Sequence, residues 1–173
     1  MPPADAWVDR RLVVQDSSIE GRGLVFTADL PARAEVMRLG GRYVSSEELA
    51  FLVAQADADP ASPYVDTISV YDNAHLVLPP NTAVHFSNHS CDPTLWLVGP
   101  LVVATRRAVV AGEEATIDYG TVSGAEGFVL VCRCGASNCR SEITSNDWTR
   151  EDLRARYDGH WAPVLQQRID DGR

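Results

Sequence analysis

Phe86-Ser87-Asn88-His89-Ser90-Cys91-Asp92-Pro93 decides how the rest of the chain is read. Its density of small polar side chains makes it a poor strand, and on spacing alone it is an Asx-rich turn ending at Pro93. The same residues also carry recognition chemistry. Asn offers a donor and an acceptor, His can act as either, and backbone amides in such a segment can read the edge of a flat heterocycle. Cys91 stands apart from the other three cysteines, which crowd into Cys132-Arg133-Cys134-Gly135-Ala136-Ser137-Asn138-Cys139.

Three thiols in so short a loop are not a packing pattern. A tetrahedral zinc site takes four soft, deprotonated ligands, and a tight Gly-containing loop can offer three while a distant part of the fold closes the shell. Cys91 is the remaining thiol, so the expected ligands of one structural zinc ion are Cys91, Cys132, Cys134 and Cys139. A disulfide framework is the alternative. It needs an oxidising compartment, and Met1-Pro2-Pro3-Ala4-Asp5 lacks the basic and apolar regions of an export signal.

At 173 residues the chain is expected to form one β-rich domain, too short for a two-domain dehydrogenase or a large barrel. All 15 basic side chains are arginine and none is lysine; against 24 Asp plus Glu the net charge is −9. Nucleic acid is therefore not expected as a partner, because coating it means neutralising phosphates with Lys and Arg, although a local patch around Arg133 and Arg140 stays open. The charge serves solubility and favours a basic partner if the partner is charged. No run approaches the roughly 18 apolar residues of a membrane span. The expectation is a soluble intracellular protein, and the lysine-free, Arg- and Ala-rich composition suggests a high-GC bacterial genome.

Short apolar runs punctuated by Gly and Pro read as strands: Leu12-Val13-Val14, Leu24-Val25-Phe26, Val36-Met37, Ile68 to Tyr71, Leu76 to Leu78, and Leu95 to Ala104. Ser45, followed by Glu47 and Glu48, starts a helix running to Ala56, with Asp57 to Pro63 as a loop. Thr149, with Asp152 three residues on, caps a second helix through Tyr157 that Gly159 ends.

Asn88-His89-Ser90-Cys91-Asp92-Pro93 resembles the N-H-S-C-x-P signature of SET-domain lysine methyltransferases, and the C-x-C-x4-C cluster is similar to their zinc-binding post-SET segment. Gly21-Arg22-Gly23 resembles the family's N-terminal G-x-G loop, and Gly112-Glu113-Glu114-Ala115-Thr116-Ile117-Asp118-Tyr119-Gly120 the block that carries its catalytic tyrosine. The resemblance implies a mainly β, β-clip fold with a knot-like core. Residues 1–10 would be an N-terminal tail and 11–122 the SET domain, with 46–80 as a variable insert. A post-SET zinc lobe would occupy 123–144 and a C-terminal helical extension 145–173.

The same resemblance implies S-adenosylmethionine as cofactor and a lysine-bearing, basic protein as substrate. Cofactor contacts fall on Gly21, Arg22, Gly23, His85, Phe86, Asn88, His89 and Tyr119, with the two glycines admitting the cofactor and Arg22 meeting its carboxylate. Tyr119 is the expected catalytic residue. Ile117 and one of Tyr64 and Tyr71 are expected to wall the lysine channel, and the aliphatic Ile117, unable to hold a water, leaves room for more than one methyl. His85 stands where the family usually has Arg, and Leu39-Gly40-Gly41 where it often has Y-x-G. His75 and His160 read as structural or surface residues, and Trp148 or Trp161 is a candidate cover for the adenine or the zinc lobe. The rival reading is a noncatalytic, zinc-stabilised protein-interaction module.

Overall fold

Apolar runs only three to five residues long, each cut by Gly or Pro, dictate short strands. The computed structural model describes residues 6–59, 65–80 and 82–172 and is mainly β. Strand β1 (Trp7–Val8) is followed by a hairpin of β2 (Leu12–Asp16) and β3 (Arg22–Phe26), registered from Leu12↔Phe26 to Asp16↔Arg22. Strands β4 (Glu35–Arg38) and β5 (Arg42–Val44) lead into helix α1 (Ser46–Ala58). A second hairpin, β6 (Thr67–Tyr71) and β7 (Ala74–Val77), precedes a third, β8 (Leu95–Gly99) and β9 (Val102–Thr105). The run Leu95 to Ala104 is thus two strands, because Gly99-Pro100 turns it back on itself. Strands β10 (Val129–Val131) and β11 (Glu142–Thr144), helix α2 (Glu151–Arg156) and helix α3 (Pro163–Asp170) complete the chain.

The strands form a four-stranded antiparallel sheet in the order β1-β4-β9-β8, a three-stranded sheet β5-β7-β6, and the two-stranded pairs β2-β3 and β10-β11. One apolar core fills the space between them, centred on Leu24, Phe26, Leu76, Leu95, Leu97 and Val103. Among the described residues no helix is long and apolar enough to cross a membrane.

Helix α1 begins as its sequence dictates: the Ser45 side chain accepts a hydrogen bond from the Glu48 amide, and Glu47 and Glu48 lie in the first turn, where carboxylates suit the helix dipole. It continues two residues past Ala56. Helix α2 starts differently from its expected capping box. Thr149 belongs to a 3-10 turn (Asp147–Thr149) and spends its hydroxyl on the Asn146 carbonyl, so the cap position falls on Arg150, which makes no side-chain cap bond. Gly159, at φ 73°, follows the helix as expected.

The C-terminal segment is part of the main core. Trp148, Leu153, Tyr157, Trp161, Val164 and Leu165 are buried in the same cluster as Leu24 and Phe26. The two tryptophans are core anchors accordingly. His160 stacks flat on Trp96 with ring centroids 3.5 Å apart.

Candidate active site and metal cluster

Two segments that sequence separates run side by side at the centre of the molecule. The Ile117 amide donates to the Asn88 carbonyl (3.0 Å) and the Ser90 amide to the Ile117 carbonyl (3.1 Å), pairing His89 with Ile117 in parallel. Ser87 Oγ adds a bond to the Ala115 carbonyl. In a parallel bridge of this kind the amide and carbonyl of the middle residue face away from the partner, so the backbone edge of His89 points outward. Its imidazole points inward and is fully employed. Nδ1 accepts from the Tyr119 amide (3.1 Å), which places the ring proton on Nε2, 3.4 Å from Cys91 Sγ. Burial holds His89 neutral by lowering its pKa to about 4, against the opposing pull of Asp118.

Asn88 is a tie within the chain. Its amide nitrogen shares two hydrogens among Ser17 Oγ, the Glu20 and Arg22 carbonyls and, nearest at 2.8 Å, Glu114 Oε1, while Ser17 Oγ donates to the Glu114 carboxylate. This ties the loop 17–23 to the block that ends in Tyr119. Gly21 takes the left-handed conformation (φ 46°) that closes the turn, and a Cβ on Gly23 would sit 2.2 Å from Glu114 Oε1. Gly23 therefore makes room for a carboxylate of this chain, a requirement that spacing alone did not reveal. Gly23→Ala is expected to destabilise the protein by about 1–3 kcal/mol. Urea unfolding checks this, and a double-mutant cycle with Glu114→Ala should show the two sites strongly coupled. Arg22 carries its guanidinium over the Phe86 ring, 5.3 Å from the centroid.

A cleft of about 140 Å³ opens beside this crossing, walled by Ser69, His85, Ser87, Ile117, Tyr119 and Phe128 among others. The Tyr119 hydroxyl donates to the Ser87 carbonyl (3.1 Å). His85 Nε2 lies 2.7 Å from the Pro79 carbonyl and Nδ1 3.2 Å from Asp66, and that carboxylate raises its pKa. Both partners are acceptors, so the geometry suits an imidazolium. Tyr71 does not line the cleft: the pairing of β6 with β7 shifts register between Ser69 and Tyr71, so the two lose the common face that alternate residues of a regular strand share, and Tyr71 ends 60% exposed while Ser69 lines the cleft. Tyr64 lies outside the described residues.

The four cysteines converge. Hairpin β10–β11 carries Cys132, Cys134 and Cys139 in its connection and brings them to Cys91, with Ile143 buried beneath. Tetrahedral bonds of about 2.3 Å set sulfurs about 3.8 Å apart; Cys91 and Cys132 are 3.8 Å apart and Cys132 and Cys139 3.6 Å. Backbone amides of Cys91 and Arg140 point at Cys134 Sγ and Cys91 Sγ. Burial raises the Cys91 thiol to about 11 against the opposing pull of the Arg140 amide and guanidinium; at Cys134 burial also acts upward, but the amides of Cys91 and Ala136 and the neighbouring thiols outweigh it and bring the thiol down to about 7. Donor atoms of His89, Cys91, Cys132 and Cys134 all lie within 4.8 Å of one another. His89 nevertheless makes a poor ligand, because its Nε2 carries the proton. It is placed to donate to a Cys91 thiolate, leaving Cys139 as the better fourth donor.

Comparison with known proteins decides the family, since the SET domain matches residues 21–120 of this chain. The chain belongs to the SET-domain family. Among its relatives, the histone-lysine N-methyltransferase trithorax of Drosophila virilis is 31% identical over 137 residues, covering 73% of this chain and 3% of the relative. The histone-lysine N-methyltransferase Su(var)3-9 of Drosophila pseudoobscura pseudoobscura is 39% identical over 78 residues (34% of this chain, 12% of the relative). The histone-lysine N-methyltransferase SUV39H1-A of Danio rerio is 29% identical over 113 residues (46% and 26%). The chain thus spans only a small part of each of these proteins.

The SET match ends at Gly120, yet the fold does not. Arg140, directly after the last cysteine, is 4% exposed and reaches back to Asp118 through two parallel bonds of 2.7 and 2.6 Å. Asp147 lies 3.1 Å from the same guanidinium, and Tyr157 donates to Asp118 Oδ2 (2.9 Å). This buried knot fastens the cysteine lobe and the C-terminal helices to the residue before Tyr119. It also removes Arg140 from the surface patch that a nucleic-acid reading would need.

Proposed function

We propose that this SET-domain chain transfers methyl groups from S-adenosylmethionine to the side-chain amine of lysine in a basic protein, with a structural zinc ion on Cys91, Cys132, Cys134 and Cys139. The observation that carries the reading is the position of Tyr119: it ends the segment paired with Asn88-His89-Ser90, and its hydroxyl lies on the wall of the cleft, bonded to Ser87.

The residues present fit both groups. Two short sulfur separations, amide donors to sulfur and a closed shell of soft donors suit zinc better than a harder cation. For the cofactor, the outward backbone edge of His89 offers one amide and one carbonyl, the complement of an adenine edge, while the His89 ring stays with Tyr119 and Cys91. Arg22, exposed above Phe86, supplies a cation for a carboxylate. When bound, S-adenosylmethionine supplies a methyl group on a positively charged sulfur.

The chain's own task is orientation and proton management. Tyr119 Oη donates to Ser87 and can accept from a substrate N–H, which holds the amine lone pair in line for displacement. A lysine ammonium has a reference pKa near 10.4, so its neutral form costs roughly 4–5 kcal/mol at neutral pH unless burial and a nearby cation lower that value. The apolar cleft wall of Ile117 and Phe128 and the imidazolium-disposed His85 both act in that direction. Ile117 has no hydrogen-bonding group to hold a water beside the amine, so di- and trimethylation are sterically open. The net charge of −9 favours a basic substrate, and KM should rise with added salt.

Isothermal titration with S-adenosylmethionine, followed by methylation of a mixture of basic proteins, tests this function. Binding and lysine methylation are expected; no binding by the zinc-loaded protein would leave only the noncatalytic interaction module. Cys91→Ser is expected to lower zinc content well below one ion per chain, read by a metal-release assay, whereas His89→Gln should retain zinc because its ring is a donor to sulfur and not a ligand. Full zinc in Cys91→Ser would put the fourth ligand elsewhere.

A further inference from the structure

His75 is a buried titratable side chain without a part in the chemistry above. It is 5% exposed, on β7, with one hydroxyl on each ring nitrogen: Ser69 Oγ lies 3.3 Å from Nδ1 and Ser46 Oγ 2.9 Å from Nε2. Ser69 is buried on β6 and lines the same cleft as Tyr119, and Ser46, at the start of α1, is exposed to solvent. The Gly124 amide donates to Ser69 Oγ (3.2 Å) and Ser46 Oγ donates to the Asp72 carbonyl (3.5 Å). Those two ends orient the row. Ser69 O–H points to Nδ1, Nε2–H points to Ser46, and one lone pair of Ser69 stays available on the cleft side.

Resting on the methyltransferase reading, we propose that Ser69, His75 and Ser46 form a proton exit, carrying the proton that the substrate ammonium must lose from the cleft to solvent. An N–H bond of the ammonium breaks as an O–H bond forms on Ser69, directly or through a water in the cleft. Ser69's original hydrogen passes to His75 Nδ1, the Nε2 hydrogen passes to Ser46, and Ser46's original hydrogen leaves to bulk water. One proton moves from substrate to solvent, nothing is oxidised or reduced, and hydroxyl rotation with a half-turn of the imidazole restores the starting state. Burial first, and then the Arg168 cation on α3, lower the pKa of His75, so the ring is neutral and able to accept. The charged neighbours are Arg168 and Asp72, paired to each other at 2.9 Å. The second imidazole of the cleft, His85, titrates in the opposite direction because Asp66 holds its proton. His75 and Ser46 are therefore positioning residues that act through Ser69.

The test is the pH profile of methyl transfer for wild type, His75→Gln and Ser69→Ala, with S-adenosylmethionine affinity measured alongside. Expected is a fall in kcat of about tenfold or more near pH 7 for both variants. That deficit should shrink as pH approaches the lysine reference value near 10.4, where the amine arrives neutral. Cofactor affinity should be unchanged, and added imidazole should partly rescue His75→Ala. An active wild type whose variant profiles overlay its own, or run parallel below it at every pH, overturns the relay alone. A wild type that transfers no methyl overturns the methyltransferase reading and the relay with it.

Discussion

Tyr119→Phe should abolish turnover, lowering kcat by about 10²–10⁴-fold while leaving the Kd for S-adenosylmethionine within a few-fold. In the proposed mechanism the hydroxyl meets the substrate amine. It donates to the Ser87 carbonyl, on a ring that packs edge-on against His89 at 5.4 Å. Removing the oxygen leaves that carbonyl short of a partner, a cost of about 1–3 kcal/mol, and leaves the ring contact with His89 in place. The Tyr119 amide, which orients His89, is untouched. Steady-state kinetics with calorimetry separate the two effects. Activity equal to wild type would take Tyr119 out of the mechanism, and lost cofactor binding would make its role structural.

Arg140→Leu is expected to give a large loss of stability. Asp118 is 1% exposed and Asp147 7%, both facing the one guanidinium, with Tyr157 as a further donor to Asp118. Deleting the cation leaves buried carboxylates uncompensated, which costs about 3–5 kcal/mol. That is a large share of the 5–15 kcal/mol typical of a domain. The damage should reach the site, since Asp118 caps the turn that begins at Tyr119 through the Gly120 amide. Urea unfolding with parallel zinc determination checks it. A change below about 1 kcal/mol would mean that the pair is offset by its own desolvation.

What the sequence disclosed followed from local rules. Cys91 and the triple-cysteine loop were legible because their chemistry is unusual at short spacing, whereas the Asn88-His89 segment and Tyr119 stood out only through the family motifs they resemble. The Ser45 cap set the start of α1, and six β-rich runs located seven of the strands, the last run holding two. The missing strands, Trp7–Val8, Arg42–Val44, Val129–Val131 and Glu142–Thr144, are two or three residues long and owe their existence to partners, not to pattern. The polar interior was hidden for a similar reason. Glu114 against Gly23, Arg140 against Asp118, and Ser69 against His75 are pairings between elements, and no local signal states which distant group a charge will meet. A faint sign existed for Arg140, placed directly after the last cysteine ligand. The exposure of Tyr71 was not legible because it follows from a shift in the β6–β7 pairing between Ser69 and Tyr71, which the sequence does not signal. The sequence did not show that Gly23 also leaves room for the Glu114 carboxylate.

The composition gives the decisive assay a clean background. These 173 residues contain no lysine, so lysine methylation in a reaction mixture must come from another protein. The measurement is peptide mass spectrometry of basic proteins incubated with the zinc-loaded chain and S-adenosylmethionine bearing a heavy methyl group, with Tyr119→Phe as control. Heavy methyl on lysine side chains, present with the wild type and absent with Tyr119→Phe, is the predicted result. Cofactor bound but no labelled lysine, or equal labelling by both proteins, would contradict it.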